Sequence, residues 1–280
     1  MANIFSSLFG PKRPVVPVIP LNGLIMASSG GLRRSGLNLL GLSRLLDQAF
    51  TTKRACAVAL LINSPGGSPV QSAMIANRIR ELARKNDLPV LSFVEDVAAS
   101  GGYWLACAGD KIIANPASIV GSIGVVSAGF GFDQAIAKLG IDRRVYTAGE
   151  SKGMLDPFLP ERAEDISHLK ALQKEIHDQF IGMVKARRGT RLKGSDAELF
   201  SGAFWTGQKA LELGLVDRIG DVRPVLQEQF GDKVHIRLMT FKKSLFGLKS
   251  GQMGIDQSDQ MVDAALLKLE ERLERMRYGL

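Results

Sequence analysis

Histidine is scarce in this sequence, with three residues in a chain of 280. His168 and His177 fall in a polar, helix-patterned stretch and His235 in a basic one, so each reads as a solvated side chain rather than a catalytic base. Cysteine is scarcer still. Cys56 and Cys107 both lie in apolar runs, which excludes a disulfide framework and favours buried thiols in a reducing compartment. No apolar run reaches the roughly 20 residues that a membrane span needs. Residues 1–9 lack the positive start of a signal peptide, and Lys12 and Arg13 come only after them. That stretch reads as a loose terminus, with a short amphipathic foot on a membrane surface as the alternative. The expected location is therefore cytoplasmic, with or without peripheral membrane contact. The net charge of +8 is diffuse, and no zinc-finger or RNA-binding pattern accompanies it, so nucleic acid is not an expected partner. No metal and no cofactor is expected.

What the chain does have is glycine, 30 residues of it, and a 45% hydrophobic content. This suits a well-packed α/β protein with tight connections. Residues 55–62 form an unbroken apolar run of strand length, as a strand buried on both faces does. It ends in Asn63-Ser64-Pro65-Gly66-Gly67-Ser68, and a helical pattern begins at Pro69. A second strand is expected at 88–94, followed by Ala98-Ala99-Ser100-Gly101-Gly102-Tyr103 and another helix. Two successive strand–turn–helix units place both turns at the carboxyl end of a parallel sheet, where ligands bind in such folds. Further along, strands are expected at 111–114 and 142–147, an apolar β-branched segment at 118–126 and a loop at 148–158. A long polar helix is expected from Pro160 to about 187, and shorter helices at 195–199, from 205 and at 222–230. The division expected is a flexible terminus at 1–14, one main domain at 15–231, and a basic, irregular segment followed by a helix at 232–280. Val262, Leu266, Leu269, Leu273 and Met276 give that helix an apolar stripe at heptad-like spacing, suited to packing on its own domain, to assembly, or to a membrane surface.

Ser100 stands between small residues at a strand-to-helix junction. A nucleophile needs this setting: the strand fixes it, the small neighbours admit a carbonyl, and helix N–H groups face developing negative charge. The same pattern also describes a simple turn and cap. With no histidine suitably placed, lysine is the alternative base, provided that it is neutral in a dry or positively biased site. Lys152, between small residues and then apolar ones in Gly149-Glu150-Ser151-Lys152-Gly153-Met154-Leu155, differs from the lysines in charged runs, although a solvated loop lysine fits that stretch as well.

Four segments carry a more specific likeness. Asn63-Ser64-Pro65-Gly66-Gly67, Ala99-Ser100-Gly101-Gly102-Tyr103, Gly121-Ser122-Ile123-Gly124-Val125 and Ser151-Lys152-Gly153, in this order, closely resemble the motifs of the signal peptide peptidase A family. The resemblance runs from about residue 15 to 220. It implies the Clp protease/crotonase fold of repeated β-β-α units, here with an added C-terminal amphipathic helix, and endopeptidase activity through a serine–lysine dyad. It makes Ser100 the nucleophile, Lys152 the general base, Ser122 the serine that orients the lysine, and Gly67 an oxyanion-hole donor. Gly101 N–H is added to the hole by analogy with other acyl-transfer sites. Peptide or protein segments, signal-peptide-like or otherwise apolar, are the implied substrates, and a homo-oligomer the implied assembly. A shallow apolar pocket from Tyr103, Val125 and Val126 is a further expectation. Two rival readings stand beside it. Crotonase-like acyl-CoA chemistry would draw on Glu95 and Asp96, and a non-catalytic assembly subunit on the C-terminal helix.

Overall fold

The structure is a computed structural model that describes residues 13–27, 36–240, 269, 271–273 and 275–279. Most of the terminus expected to be flexible and most of the heptad-patterned helix fall outside these residues. Among the described residues eight strands form one sheet: β1 (Val15–Asn22), β2 (Val58–Ser64), β3 (Val90–Ala99), β4 (Lys111–Ala114), β5 (Ile119–Gly121), β6 (Phe204–Thr206), β7 (Arg218–Ile219) and β8 (His235–Leu238). The main order is β6-β5-β3-β2-β1-β8, with β4 also against β3 and β7 against β4. Every pairing is parallel except β5 with β6.

The helices are α1 (Leu39–Phe50), α2 (Pro69–Asn86), α3 (Gly101–Ala106), α4 (Asp133–Lys138), α5 (Ala163–Arg188), α6 (Asp196–Leu199), α7 (Gly207–Glu212) and α8 (Val222–Phe230). The unbroken apolar run of β2 is explained by helices on both faces. Val58, Leu60 and Ile62 enter the core shared with α1, α2 and α3, while Ala57 and Ala59 enter the core beneath α8. α2 starts where its sequence directs: Ser68 caps Gln71 N–H, and Pro69 occupies the first turn, where a missing N–H costs nothing.

Several expectations need correction. Residues 142–147 carry strand-forming side chains but form no strand. The β5 edge is already taken by β6, and strand propensity without a paired neighbour has little force. Trp205 and Thr206 belong to β6, and the helix expected there begins at Gly207. The long helix begins at Ala163 rather than Pro160. The basic stretch after Asp232 contributes β8, which extends the sheet beside β1.

The carboxyl end of α5 locks the far side of the fold. Arg188 donates to the Gly214 carbonyl and pairs with Asp217 at 2.7 Å, while Asp217 also accepts Ile112 N–H at 2.7 Å. The side chains are 2% and 16% exposed. Burial pushes Asp217 up. The hydrogen bonds from Arg188 and Ile112, with the charges of Arg188 and Arg191, outweigh it and hold the carboxyl below its ordinary 3.8. A folded-state value below the unfolded one gives stability that is present above about pH 4 and lost as pH falls through the folded value. Arg188→Met leaves the Asp217 charge with only the longer ion pair to Arg191, 3.3 Å, beside the Ile112 N–H bond, and is expected to cost about 3–5 kcal/mol in urea unfolding at neutral pH. A loss near zero contradicts this account of the lock.

Candidate active site

β3 runs to Ala99 and delivers Ser100 at its carboxyl end, where the chain turns into α3. Ser100 has φ +51° and ψ −122°, a backbone conformation unfavourable for a residue with a Cβ. It is held there from both sides. Its N–H donates to the Gly121 carbonyl at 2.8 Å, and its carbonyl accepts Trp104 N–H at 3.1 Å. The Ser100 hydroxyl does not cap α3. α3 is short, so individual N–H groups matter more than a helix dipole, and Gly101, as its first residue, has no acceptor one turn back.

The turn after β2 lies against this junction. A Cβ on Gly66 would stand 2.8 Å from both Ser100 Cβ and Gly101 N, so only glycine fits there. Gly67 has φ +133°, and a methyl group on it would overlap the Ile25 carbonyl. Ile25 braces the turn by donating to Gly66 O and accepting from Ser68 N–H, each at 2.7 Å. Gly67 N–H has no backbone acceptor among the described residues. The two turns expected at one end of the sheet thus meet, bringing Gly66, Gly67, Ser100 and Gly101 together.

Ser122 also has positive φ, +53°. It follows β5, which pairs with β3 through Ala99 and Gly121, so it belongs to the same end of the sheet. Its N–H donates to Ala203 O at 2.7 Å, and its hydroxyl accepts from Tyr278 Oη at 3.1 Å.

Lys152 sits apart. It lies exposed on a short 3-10 turn, Glu150–Gly153, and among the described residues it makes no hydrogen bond or ion pair with Ser100 or Ser122. The arm that carries it, residues 126–152, is largely solvent-facing and rich in uncovered apolar groups, with Phe130 81% and Tyr146 91% exposed. Its base is firm. Phe132 N–H donates to Pro157 O, Arg143 pairs with Asp156 and covers the Phe158 ring, and buried Asp165 takes Arg162 and Leu155 N–H.

Tyr103 cannot line an open pocket. It is fully buried, and its hydroxyl donates to Leu215 O at 2.8 Å. Val125 is half-buried and Val126 exposed at the start of the arm. Asp96 accepts Asn63 Nδ2 at 2.7 Å. Burial raises the Glu95 carboxyl above its ordinary value, and the charge of Asp96 adds to this. Burial pushes the Cys107 thiol up to about 11, which suits an inert core group, while Cys56 is half-buried. His177 is no free surface group: its Nε2 lies 3.0 Å from Ile123 O, beside Ser122. Sequence reasoning also missed Arg275 and Tyr278, which reach this end of the sheet from a segment whose only visible signal was its apolar stripe. A cavity of about 510 Å³ opens elsewhere, at the amino ends of β1 and β8, between Lys53, Arg54, His235 and Arg237. Among the described residues no three metal-binding side chains cluster, and no helix is long and apolar enough to cross a membrane.

Comparison with known proteins follows the same residues. The family model of peptidase family S49 matches residues 82–233, which include Ser100, Ser122 and Lys152. A putative protease of Methanocaldococcus jannaschii is 32% identical over 210 residues, covering 73% of this chain and 67% of that protein. A Brucella abortus protein named Na(+)/H(+) antiporter NhaA is 51% identical over 273 residues. Those residues are 95% of this chain but 37% of that protein, so the chain spans little more than a third of that relative. Among solved structures, the 1510-N membrane-bound stomatin-specific protease with a substrate peptide superposes with a TM-score of 0.51. It is 17% identical and covers 83% of this chain and 94% of its own. The fold is thus of the Clp protease/crotonase type.

Proposed function

Because the chain belongs to peptidase family S49, we propose that it is a serine endopeptidase working through Ser100 and Lys152. The observation that carries this is Ser100 itself, held at positive φ with its hydroxyl uncommitted to the helix and two glycine turns packed against it. In the proposed reaction the Lys152 amine takes the Ser100 proton as Oγ attacks the scissile carbonyl. Gly67 and Gly101 N–H groups receive the oxyanion, and the lysine returns the proton to the leaving amine. Water then resolves the acyl-enzyme by the same route. Ser122 orients the lysine.

Lys152 has to leave solvent for this, because a lysine acts as a base only where its charged form is disfavoured. The uncovered apolar arm supports a homo-oligomer in which a second copy covers the arm and dries the lysine. Extended apolar peptides are the proposed substrates, with Val125 and Val126 near the entrance.

The test is a panel of apolar fluorogenic peptides, with an acyl-CoA thioester as control. Peptide cleavage that stops when Ser100 is removed supports the reading; thioester hydrolysis indifferent to Ser100 contradicts it. Gly67→Ala is expected to cost at least about 1–3 kcal/mol of stability through its positive φ, with the overlap of the new methyl group on the Ile25 carbonyl adding to it. By displacing the donor it also lowers kcat by about 10²–10³. An alanine variant with wild-type kcat removes Gly67 from the oxyanion hole.

A further inference from the structure

The described residues at 271–273 and 275–278 do not dock by their apolar stripe. Leu269, Leu273 and Met276 are exposed, and it is Arg275 and Tyr278 that face the domain. Arg275 donates to the Asn63 side-chain and backbone oxygens at 3.2 and 3.3 Å, at the start of the turn that ends in Gly67. Its guanidinium is set by Glu271 at 3.2 Å. The Tyr278 ring meets Phe204 edge-on at 4.9 Å and packs with Val97, Ala99 and Ile119 on the strands that carry Ser100 and Ser122. The tyrosine is 7% exposed, and its hydroxyl donates to Ser122 Oγ at 3.1 Å. The end of the chain therefore clasps both sides of the candidate site.

We propose that this segment is a latch, in which Tyr278 holds the hydroxyl that Lys152 has to engage, so that the protein is latent until the segment lifts. The inference rests on the roles of Ser122 and Lys152 proposed above. A serine hydroxyl has one donor and two acceptor sites, and here one acceptor site and the space beside it are filled by a tyrosine. The described clasp includes the hydrogen bonds of Arg275 and Tyr278, the Phe204 edge and a small apolar contact with Val97, Ala99 and Ile119, while Leu269, Leu273 and Met276 stay exposed. That is the composition of an element that opens locally without unfolding the core. Occupation of the site by substrate and docking of the latch are then coupled, each weakening the other equally.

Tyr278→Ala and Arg275→Ala in the full chain test this by two readouts. Labelling of Ser100 by a peptidyl phosphonate is expected to speed up about tenfold in each, with Tyr278→Phe between them and wild type. Trypsin cutting after Arg275 and Arg277, slow in wild type, is expected to quicken in Tyr278→Ala. It is also expected to quicken in wild type once Ser100 carries the phosphonate. Unchanged or slower labelling in the variants overturns the latch. Equal trypsin cutting in wild type and Tyr278→Ala overturns it even if every protein is inert. Protection without labelling of Ser100 in any protein overturns the peptidase reading instead.

Discussion

Ser100→Gly is expected to make the protein more stable and to abolish its cleavage. The backbone at Ser100 has φ +51°, where a Cβ costs about 1–3 kcal/mol. Glycine removes that strain and returns roughly 0.5–1 kcal/mol of it through the freedom it adds to the unfolded chain. The net gain is about 1 kcal/mol, or roughly 2–4 °C in Tm for a domain of this size. Loss of the nucleophile lowers kcat/KM by about 10⁴–10⁶-fold. Ser100→Ala separates the two effects, because it is equally inactive but keeps the Cβ and the strain. Calorimetry and peptide cleavage on the three proteins check this. A glycine variant less stable than the alanine variant shows that the conformation is not strained. A glycine variant that still cleaves shows that Ser100 is not the nucleophile.

Lys152→Ala is expected to lower kcat by about 10²–10⁴, the usual share of a general base, with no loss of stability. The contrast follows from its position. An exposed lysine on a short turn contributes within about 0.5 kcal/mol to folding, whereas the proposed reaction depends on its amine. Steady-state cleavage and thermal unfolding of the same preparation give both numbers. A variant with full activity places the base elsewhere. A variant that unfolds early gives Lys152 a structural role.

The turns at Gly66-Gly67 and Ser100-Gly101 were legible because strand pattern, glycine and helix start agree at each of them. Parallel pairing of β2 with β3 then brings them to one end of the sheet. The edges were less legible. β6 and β8 are three and four residues long, too short for a periodic signal, and residues 142–147 have strand composition but pair with no strand, the β5 edge being taken by β6. Tyr103 follows the nucleophile in sequence, but its side chain points into the core toward Leu215, a direction that sequence spacing does not carry. Nor does a heptad-like stripe disclose that the opposite residues, Arg275 and Tyr278, are the ones that dock. The distance between Ser100 and Lys152 was equally out of reach. Motif order resembles that of one site, while the placement of the exposed arm is set by tertiary contacts such as Phe132 N–H with Pro157 O and Arg143 with Asp156, which sequence spacing does not carry.

Phosphonate labelling of Ser100 across neutral to alkaline pH, in wild type and Lys152→Ala, tests the serine–lysine pairing most directly. The expected result is modification at Ser100 alone, faster as the pH rises, and slower by about 10² or more without the lysine. Modification elsewhere, or labelling of Lys152→Ala as fast as wild type, contradicts the pairing.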